Sequence, residues 1–174
     1  MKQWAKPELQ ERFKDAGGAY IFVPRAPTGT NWDKSLITPI KLTIDDFIQK
    51  NINNIDVSRI YIGGYSLGGW MTLHTAAAYP EMFAAVFAFC PAWGISDDDA
   101  AKLKDLPVWL TSGKNDYAVS YYMTVTPSWN KIISHSNVIK NCRFSSLDPT
   151  TNPDGSIASN GHSSWAAVEN DMFS

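Results

Sequence analysis

Gly64-Tyr65-Ser66-Leu67-Gly68 sets one serine hydroxyl between two glycines, where the run Arg59-Ile60-Tyr61-Ile62 gives way to a stretch with helical character. A serine hydroxyl attacks a carbonyl carbon only when a base takes its proton and when it stands clear of the backbone. A strained strand-to-helix turn presents it that way, and the close passage of strand and helix leaves room only for small residues two before and two after. Gly64 and Gly68 hold those positions. Such a turn also aims the N–H of Leu67 at the place where negative charge develops on the attacked oxygen, backed by the positive end of the helix. That is one half of an oxyanion hole. A Gly-x-Ser-x-Gly string also arises by chance, and a glycine-rich turn can cradle a phosphate. A Walker-type loop ends in Gly-Lys-Ser/Thr, however, and no lysine is near.

A serine of this kind needs a base and an orienting acid. Only three histidines are available. His74 lies eight residues after Ser66 on the same expected helix, about 12 Å along its axis, and cannot meet the hydroxyl. It reads as a packed or surface histidine. His135 follows a later helix and falls toward the opposite end of the sheet. His162 closes a polar loop after the last expected strand, where the chain can fold back over the carboxyl edge, and is the expected general base. Asp116, four residues after a strand ends, is the expected acid. Its rivals are Asp97, Asp98 and Asp99, which suit a helix start, and Asp148 and Asp154 in the loop; a turn-forming aspartate is the plainer reading of Asp116 itself.

The elements that must carry these groups follow from pattern and punctuation. Pro7 to Asp15 predicts a helix closed by Gly17-Gly18. Ala19 to Pro24 (AYIFVP) is a continuous apolar run, as in a strand buried on both faces, and Arg25 to Trp32 is a turn-rich loop leaving its carboxyl end. Thr43, with Asp46 three residues on, predicts a capped helix with Ile44, Phe47 and Ile48 on its apolar side. After the serine, Leu67 to Tyr79 is helical and stops at Pro80. Ala84 to Cys90, a short helix near Asp98 to Leu103, Leu106 to Ser112, a helix over Tyr122 to Ser134 and Val138 to Leu147 continue the alternation. Asp148 to Gly161 is a long loop, and a final helix begins near Ser163. Strands alternating with helices predict an α/β fold, a three-layer sandwich around a mainly parallel sheet of about five strands.

Length and composition bound the function. The 174 residues fit one domain, 1–174. Hydrophobic residues make up 44% and charged residues 18%, with no apolar run long enough to span a membrane. A net charge of −2 gives no footprint for nucleic acid. Cys90 and Cys142 show neither metal spacing nor a disulfide framework and read as free thiols. No metal cluster, dinucleotide fingerprint or lipidation signal is present, so no cofactor is expected. Met1 is followed by Lys2 and polar residues without a secretory signal, so the chain as given reads as cytoplasmic, or as secreted if an N-terminal part is missing.

Taken together the motifs resemble the α/β-hydrolase superfamily, and within it the bacterial esterases of the polyhydroxybutyrate-depolymerase and feruloyl-esterase type. The resemblance is carried by Ile55-Asp56-Val57-Ser58-Arg59-Ile60-Tyr61 leading into Gly64-Tyr65-Ser66-Leu67-Gly68-Gly69, by Tyr79-Pro80-Glu81-Met82-Phe83-Ala84-Ala85, and by Leu106-Pro107-Val108-Trp109. Gly113-x-x-Asp116-x-x-Val119 and Gly161-His162-x-x-Trp165 complete it. It spans residue 19 to the end and implies a serine hydrolase of carboxylic esters with small or short-chain acyl or aryl groups. Ser66 would be the nucleophile, Asp116 the acid and His162 the base, in the family's Ser…Asp…His order. Serine peptidases and thioesterases share this fold and triad, and a non-catalytic hydrolase-like domain is a further class. Tyr65, Trp93, Tyr117 and Trp32 are the candidate pocket residues.

One departure stands out. The family carries, ahead of the segment seen here, further strands and a His-Gly loop that donates the second oxyanion hydrogen bond. Either an N-terminal part is missing, or Ala19–Pro24 moves beside the serine-bearing strand and pairs with it directly. The second arrangement avoids two unpaired rows of backbone groups and is the expectation. The loop Arg25 to Asn31 would then supply the second donor, and an uncovered edge strand would favour a homo-oligomer.

Overall fold

The computed structural model describes residues 6–152 and 154–164. The expected final helix beyond Ser164, and Trp165 with it, lies outside the described residues.

Four parallel strands form one sheet in the order β1-β2-β3-β4: β1 Tyr61–Tyr65, β2 Ala85–Phe89, β3 Val108–Gly113 and β4 Arg143–Leu147. The register pairs Gly64 with Ala88, Ala88 with Leu110 and Leu110 with Phe144. In chain order the helices are α1 Pro7–Glu11, α2 Ile37–Lys50, α3 Leu67–Ala78, α4 Asp97–Lys102 and α5 Thr126–His135. Because neighbouring strands are also consecutive, right-handed crossovers put α3, α4 and α5 on the same face. There Leu73, Ala76, Val86, Ala88, Val108, Leu110, Leu103 and Ile132 are buried in one cluster. Fully burying a leucine or valine contributes roughly 1.5–3 kcal/mol, so this row anchors the sheet. Helix α3 is buried all round from Gly69 to Ala77, as expected of a helix at the centre of the core. On the other face the rings of Phe87, Phe89 and Trp109 follow one another, with the Arg143 guanidinium 4.9 Å from the Trp109 ring.

The structure corrects several expectations. Ala19–Pro24 is not a strand and forms no ladder with β1, which pairs with β2 alone among the described residues. Tyr20, Ile21, Phe22 and Val23 are exposed, and Tyr20 and Phe22 instead place their rings against Phe47 of α2, 5.6 and 5.1 Å between centroids. An apolar run becomes a strand only where a neighbour offers backbone partners, and none among the described residues pairs with it. Among the described residues the sheet has four strands, all parallel.

Thr43 does not cap a helix. Helix α2 starts six residues earlier, at Ile37, behind a turn in which Asp33 accepts from Ser35 N–H. Thr43 donates to the Pro39 carbonyl within the helix, and Asp46 pairs with Lys50 at 2.6 Å. Pro39 falls in the first turn, where its missing N–H leaves no hydrogen bond unmade. The helix expected over Tyr122 to Ser134 is a wide turn, Tyr121–Val125, followed by α5, and the strand expected from Val138 is shortened to β4 by a turn at Ile139–Asn141. Likewise α1 ends at Glu11, and a separate turn at Lys14–Ala16 is closed by Gly17 at φ 85°.

Strand β1 and helix α3 come closest at Gly64. A Cβ there would sit 2.4 Å from the Gly68 carbonyl oxygen and 2.7 Å from Thr72 Oγ1, whereas a Cβ on Gly68 itself would meet nothing within 4 Å. The strict need for glycine thus falls on one of the two expected positions. Gly64→Ala should lower the unfolding free energy by about 1–3 kcal/mol through overpacking. Gly68→Ala, in the first turn of α3, should be neutral or stabilising by up to about 1 kcal/mol. Urea unfolding of both variants against the parent checks the contrast.

Candidate active site

Ser66 stands between β1 and α3 at φ 56°, ψ −119°, one of two non-glycine residues with positive φ among the described residues; Cys90 at φ 35° is the other. Such a conformation costs roughly 1–3 kcal/mol and persists only where neighbours over-determine it. Here Ser66 N–H donates to the Phe89 carbonyl at 2.9 Å, and the Ser66 carbonyl accepts from Ala92 N–H and Trp70 N–H, both at 3.0 Å. The turn after β2 therefore grips the serine's backbone from both sides and leaves its side chain projecting.

That side chain meets His162. Nε2 of His162 is 3.1 Å from Ser66 Oγ, and Nδ1 is 2.9 Å from Asp116 Oδ2. The Asp116 side chain is fully buried and that of His162 is 18% exposed. The other Asp116 oxygen, Oδ1, accepts from Ala118 N–H and Val119 N–H at 2.9 and 2.8 Å. Both readings of Asp116 hold at once: one oxygen builds a turn, the other faces the imidazole. Three charge-assisted or polar partners keep this buried carboxylate satisfied.

The loop carrying His162 is stitched to the loop carrying Asp116. Gly161 N–H donates to the Asn115 carbonyl at 2.9 Å, and the Asn115 amide donates to the Ala158 carbonyl at 3.1 Å. Asn160 Oδ1 accepts from Tyr117 N–H at 3.1 Å and from His162 N–H at 3.0 Å, one side chain bridging both loops. Sequence reasoning missed Asn160. Its one signal was an Asx residue two before His162, a common way to cap a short turn.

Leu67 opens α3, whose first internal hydrogen bond is Trp70 N–H to Ser66; the N–H groups of the first turn have no intrahelical acceptor and form the positive end of the helix. A surface cleft of about 390 Å³ runs beside Leu67, walled by residues 23–32. The loop Arg25 to Asn31 is therefore next to this helix end, but the direct pairing of Ala19–Pro24 with β1 that was to aim it there does not exist. Thr30 spends both its N–H and its hydroxyl on the Pro27 carbonyl.

The candidate pocket residues differ in their placement. The Tyr65 ring lies 4.9 Å from the His162 ring, and burial, reinforced by the fields of Cys90 and Asp116, pushes its phenol up to about 12. Trp32 lines the cleft and packs against the Ile40, Trp70 and Met71 cluster. Trp93 meets Trp70 edge-on at 5.1 Å while half exposed, and Tyr117 is 81% exposed.

The remaining histidines stand apart from Ser66. His74 is buried, with Nδ1 3.2 Å from Asp99 Oδ2; burial, together with Lys34 and Lys102, lowers its pKa against the pull of Asp99. His135 Nε2 is 3.1 Å from Asp97 Oδ1. Asp97, Asp98 and Asp99 open α4 behind the capping hydroxyl of Ser96, Asp148 pairs with Lys114, and Asp154 accepts from Ser156. Both cysteines are free. Cys90, Asp116 and His162 offer ligand atoms within 4.8 Å of one another, but Asp116 and His162 already bond to each other and the thiol is pushed up to about 12, chiefly by burial. The group is thus a hydrogen-bonded assembly. No helix among the described residues is long and apolar enough to cross a membrane.

A parallel sheet with the serine turn at its carboxyl end is the architecture of the α/β hydrolases, and solved structures share it. The chain superposes on a thermostable esterase with a TM-score of 0.74, over 98% of this chain and 45% of that one, at 22% identity. Residues 24–151 match the phospholipase/carboxylesterase family, and the chain belongs to it. A bifunctional acetylxylan esterase/xylanase of Neocallimastix patriciarum is 31% identical over 115 residues, 64% of this chain and 16% of that protein. Acetylxylan esterase A of Emericella nidulans is 33% identical over 88 residues, 45% of this chain and 29% of that protein. The matches thus span less than a third of either relative's length.

Asn160→Ala would strip the acceptor from two backbone N–H groups of the site loops. It should lower stability by about 0.5–2 kcal/mol, the usual cost of removing such a capping side chain, as read from urea unfolding beside the parent chain.

Proposed function

We propose that the chain is a serine esterase that cleaves carboxylic esters of short acyl groups through Ser66, His162 and Asp116. The observation that carries this reading is the line of contacts from Ser66 Oγ to His162 Nε2 at 3.1 Å and from Nδ1 to Asp116 at 2.9 Å. Nε2 takes the hydroxyl proton as Oγ attacks the ester carbonyl, and Asp116 holds the ring and stabilises the imidazolium. Leu67 N–H, at the positive end of α3, binds the oxyanion. The imidazolium then gives its proton to the departing alkoxide, leaving an acyl-serine. Water, deprotonated by the same nitrogen, attacks that acyl group and restores Ser66. The named activity of the two acetylxylan esterase relatives supports an acetyl group on a carbohydrate alcohol as the ester of choice.

A second reading, a hydrolase-like domain that binds without turnover, is favoured by one observation: the far edge of β1 carries no partner strand among the described residues. Removing one oxyanion donor from a serine hydrolase costs about 10²–10³ in turnover, so a half-built hole still leaves a measurable esterase.

The test is hydrolysis of p-nitrophenyl acetate and butyrate by the parent chain, Ser66→Ala and His162→Ala. Turnover should fall by about 10⁴ or more in each variant. A folded parent chain with turnover no greater than that of its two variants would refute the esterase reading and leave the binding domain.

A further inference from the structure

Cys90 stands one residue past β2, and nothing in the chemistry above uses it. It is fully buried, and it carries the second positive φ among the described non-glycine residues. Its N–H donates to the Thr111 carbonyl at 2.8 Å, which ties it to β3. The residues around it in sequence grip Ser66, Phe89 through its carbonyl and Ala92 through its N–H. Its thiol reaches across to a third segment and donates to the His162 carbonyl, with sulfur and oxygen 3.4 Å apart. The buried Ser164 hydroxyl interacts with the same sulfur without reaching full hydrogen-bond geometry. The strained residue therefore bonds the strand leading to the acid through its N–H and the base's main chain through its thiol.

Burial, with the field of Asp116, pushes this thiol up to about 12. It stays protonated and remains a donor. His162 is consequently held at both of its backbone polar groups: Asn160 accepts from its N–H, and Cys90 donates to its carbonyl. Asp116 holds Nδ1 of the ring, and these two contacts hold the main chain that carries it.

Resting on the esterase reading above, we propose that Cys90 is a positioning residue for the base, its thiol fixing the main chain of His162 so that Nε2 stays within reach of Ser66. Losing the donor lets the His162 loop drift by a fraction of an ångström. Misplacement of a reacting group by about 1 Å can cost about a hundredfold in rate, so a smaller drift sets the expected scale near tenfold.

The experiment compares the parent chain with Cys90→Ala and Cys90→Ser on p-nitrophenyl acetate, and records the low-field proton resonance of the His162–Asp116 hydrogen bond for each. Cys90→Ala should lose about tenfold in kcat with KM nearly unchanged, and its low-field resonance should weaken or move. Cys90→Ser, whose hydroxyl donates from the same position, should recover most of both. If Cys90→Ala lowers the melting temperature but keeps kcat within twofold and the resonance in place, the residue only packs and the proposal is overturned. Equal losses in the Ala and Ser variants would also overturn it. Should the parent show no turnover that depends on Ser66, the esterase reading fails, while the resonance in the three proteins still decides whether Cys90 positions His162.

Discussion

A left-handed serine cannot hold itself. At φ 56° the Ser66 backbone sits in a conformation that an L-residue avoids by roughly 1–3 kcal/mol, and the chain keeps it there by closing three backbone hydrogen bonds around it. Net values near 0.5–1.5 kcal/mol for each such bond are enough to offset the strain. Two of the three come from the last residue of β2 and the turn after it, so the serine turn is only as firm as the β1–β2 pairing that brings Phe89 and Ala92 alongside. Helix α3 descends onto β1 at Gly64, whose missing Cβ leaves it room. The nearly featureless burial of α3, with Leu73 and Ala76 at zero exposure, is the packing consequence.

The proposed acid and base are positioned by a different device. They belong to two loops leaving β3 and β4, and no ladder reaches that far. Instead Asn160, Asn115 and the Gly161 backbone tie one loop to the other, so that the imidazole and the carboxylate move as a unit. Gly113 and Gly161 permit this contact; a Cβ on Gly113 would fall 2.8 Å from Gly161 Cα. A buried carboxylate is costly unless its lone pairs are taken, and the two N–H groups on Oδ1 take them. What remains for Oδ2 is the imidazole. The site is thus rigid at Ser66 through the sheet and rigid at Asp116 and His162 through side-chain amides, with Cys90 where the two systems touch.

Much of this was legible in the sequence because local chemistry dictates it. A glycine-flanked serine between a β-branched run and a helical run defines its own turn, chain order left one histidine at the right end of a parallel sheet, and Asp116 was chosen there over five rival aspartates. The structure brings Ser66, Asp116 and His162 into a single hydrogen-bonded line. What was not legible depended on partners that a sequence does not display. The Ala19–Pro24 run has the composition of a buried strand, yet a strand needs a neighbour, and Phe47 gives it rings rather than hydrogen bonds. Thr43 and Asp46 fit a capping pattern, yet α2 had begun at Ile37 because a proline in the first turn breaks nothing. Gly68 matched the motif, but only the approach of two backbones could show that the crowding falls on Gly64. Asn160 was hidden for the same reason, since its two acceptor contacts are 43 and 2 residues away in the chain.

The central claim is that His162 makes Ser66 a nucleophile. Exposure of the folded chain to diethyl p-nitrophenyl phosphate, followed by peptide mass spectrometry, tests it without any assumption about the natural ester, because an organophosphate is attacked by an activated serine and then stays attached. The account predicts one diethylphosphoryl group per chain, on the peptide that contains Ser66, forming far more slowly in His162→Ala. A parent chain that remains unmodified at Ser66, or that labels at the same rate without the imidazole, would contradict it.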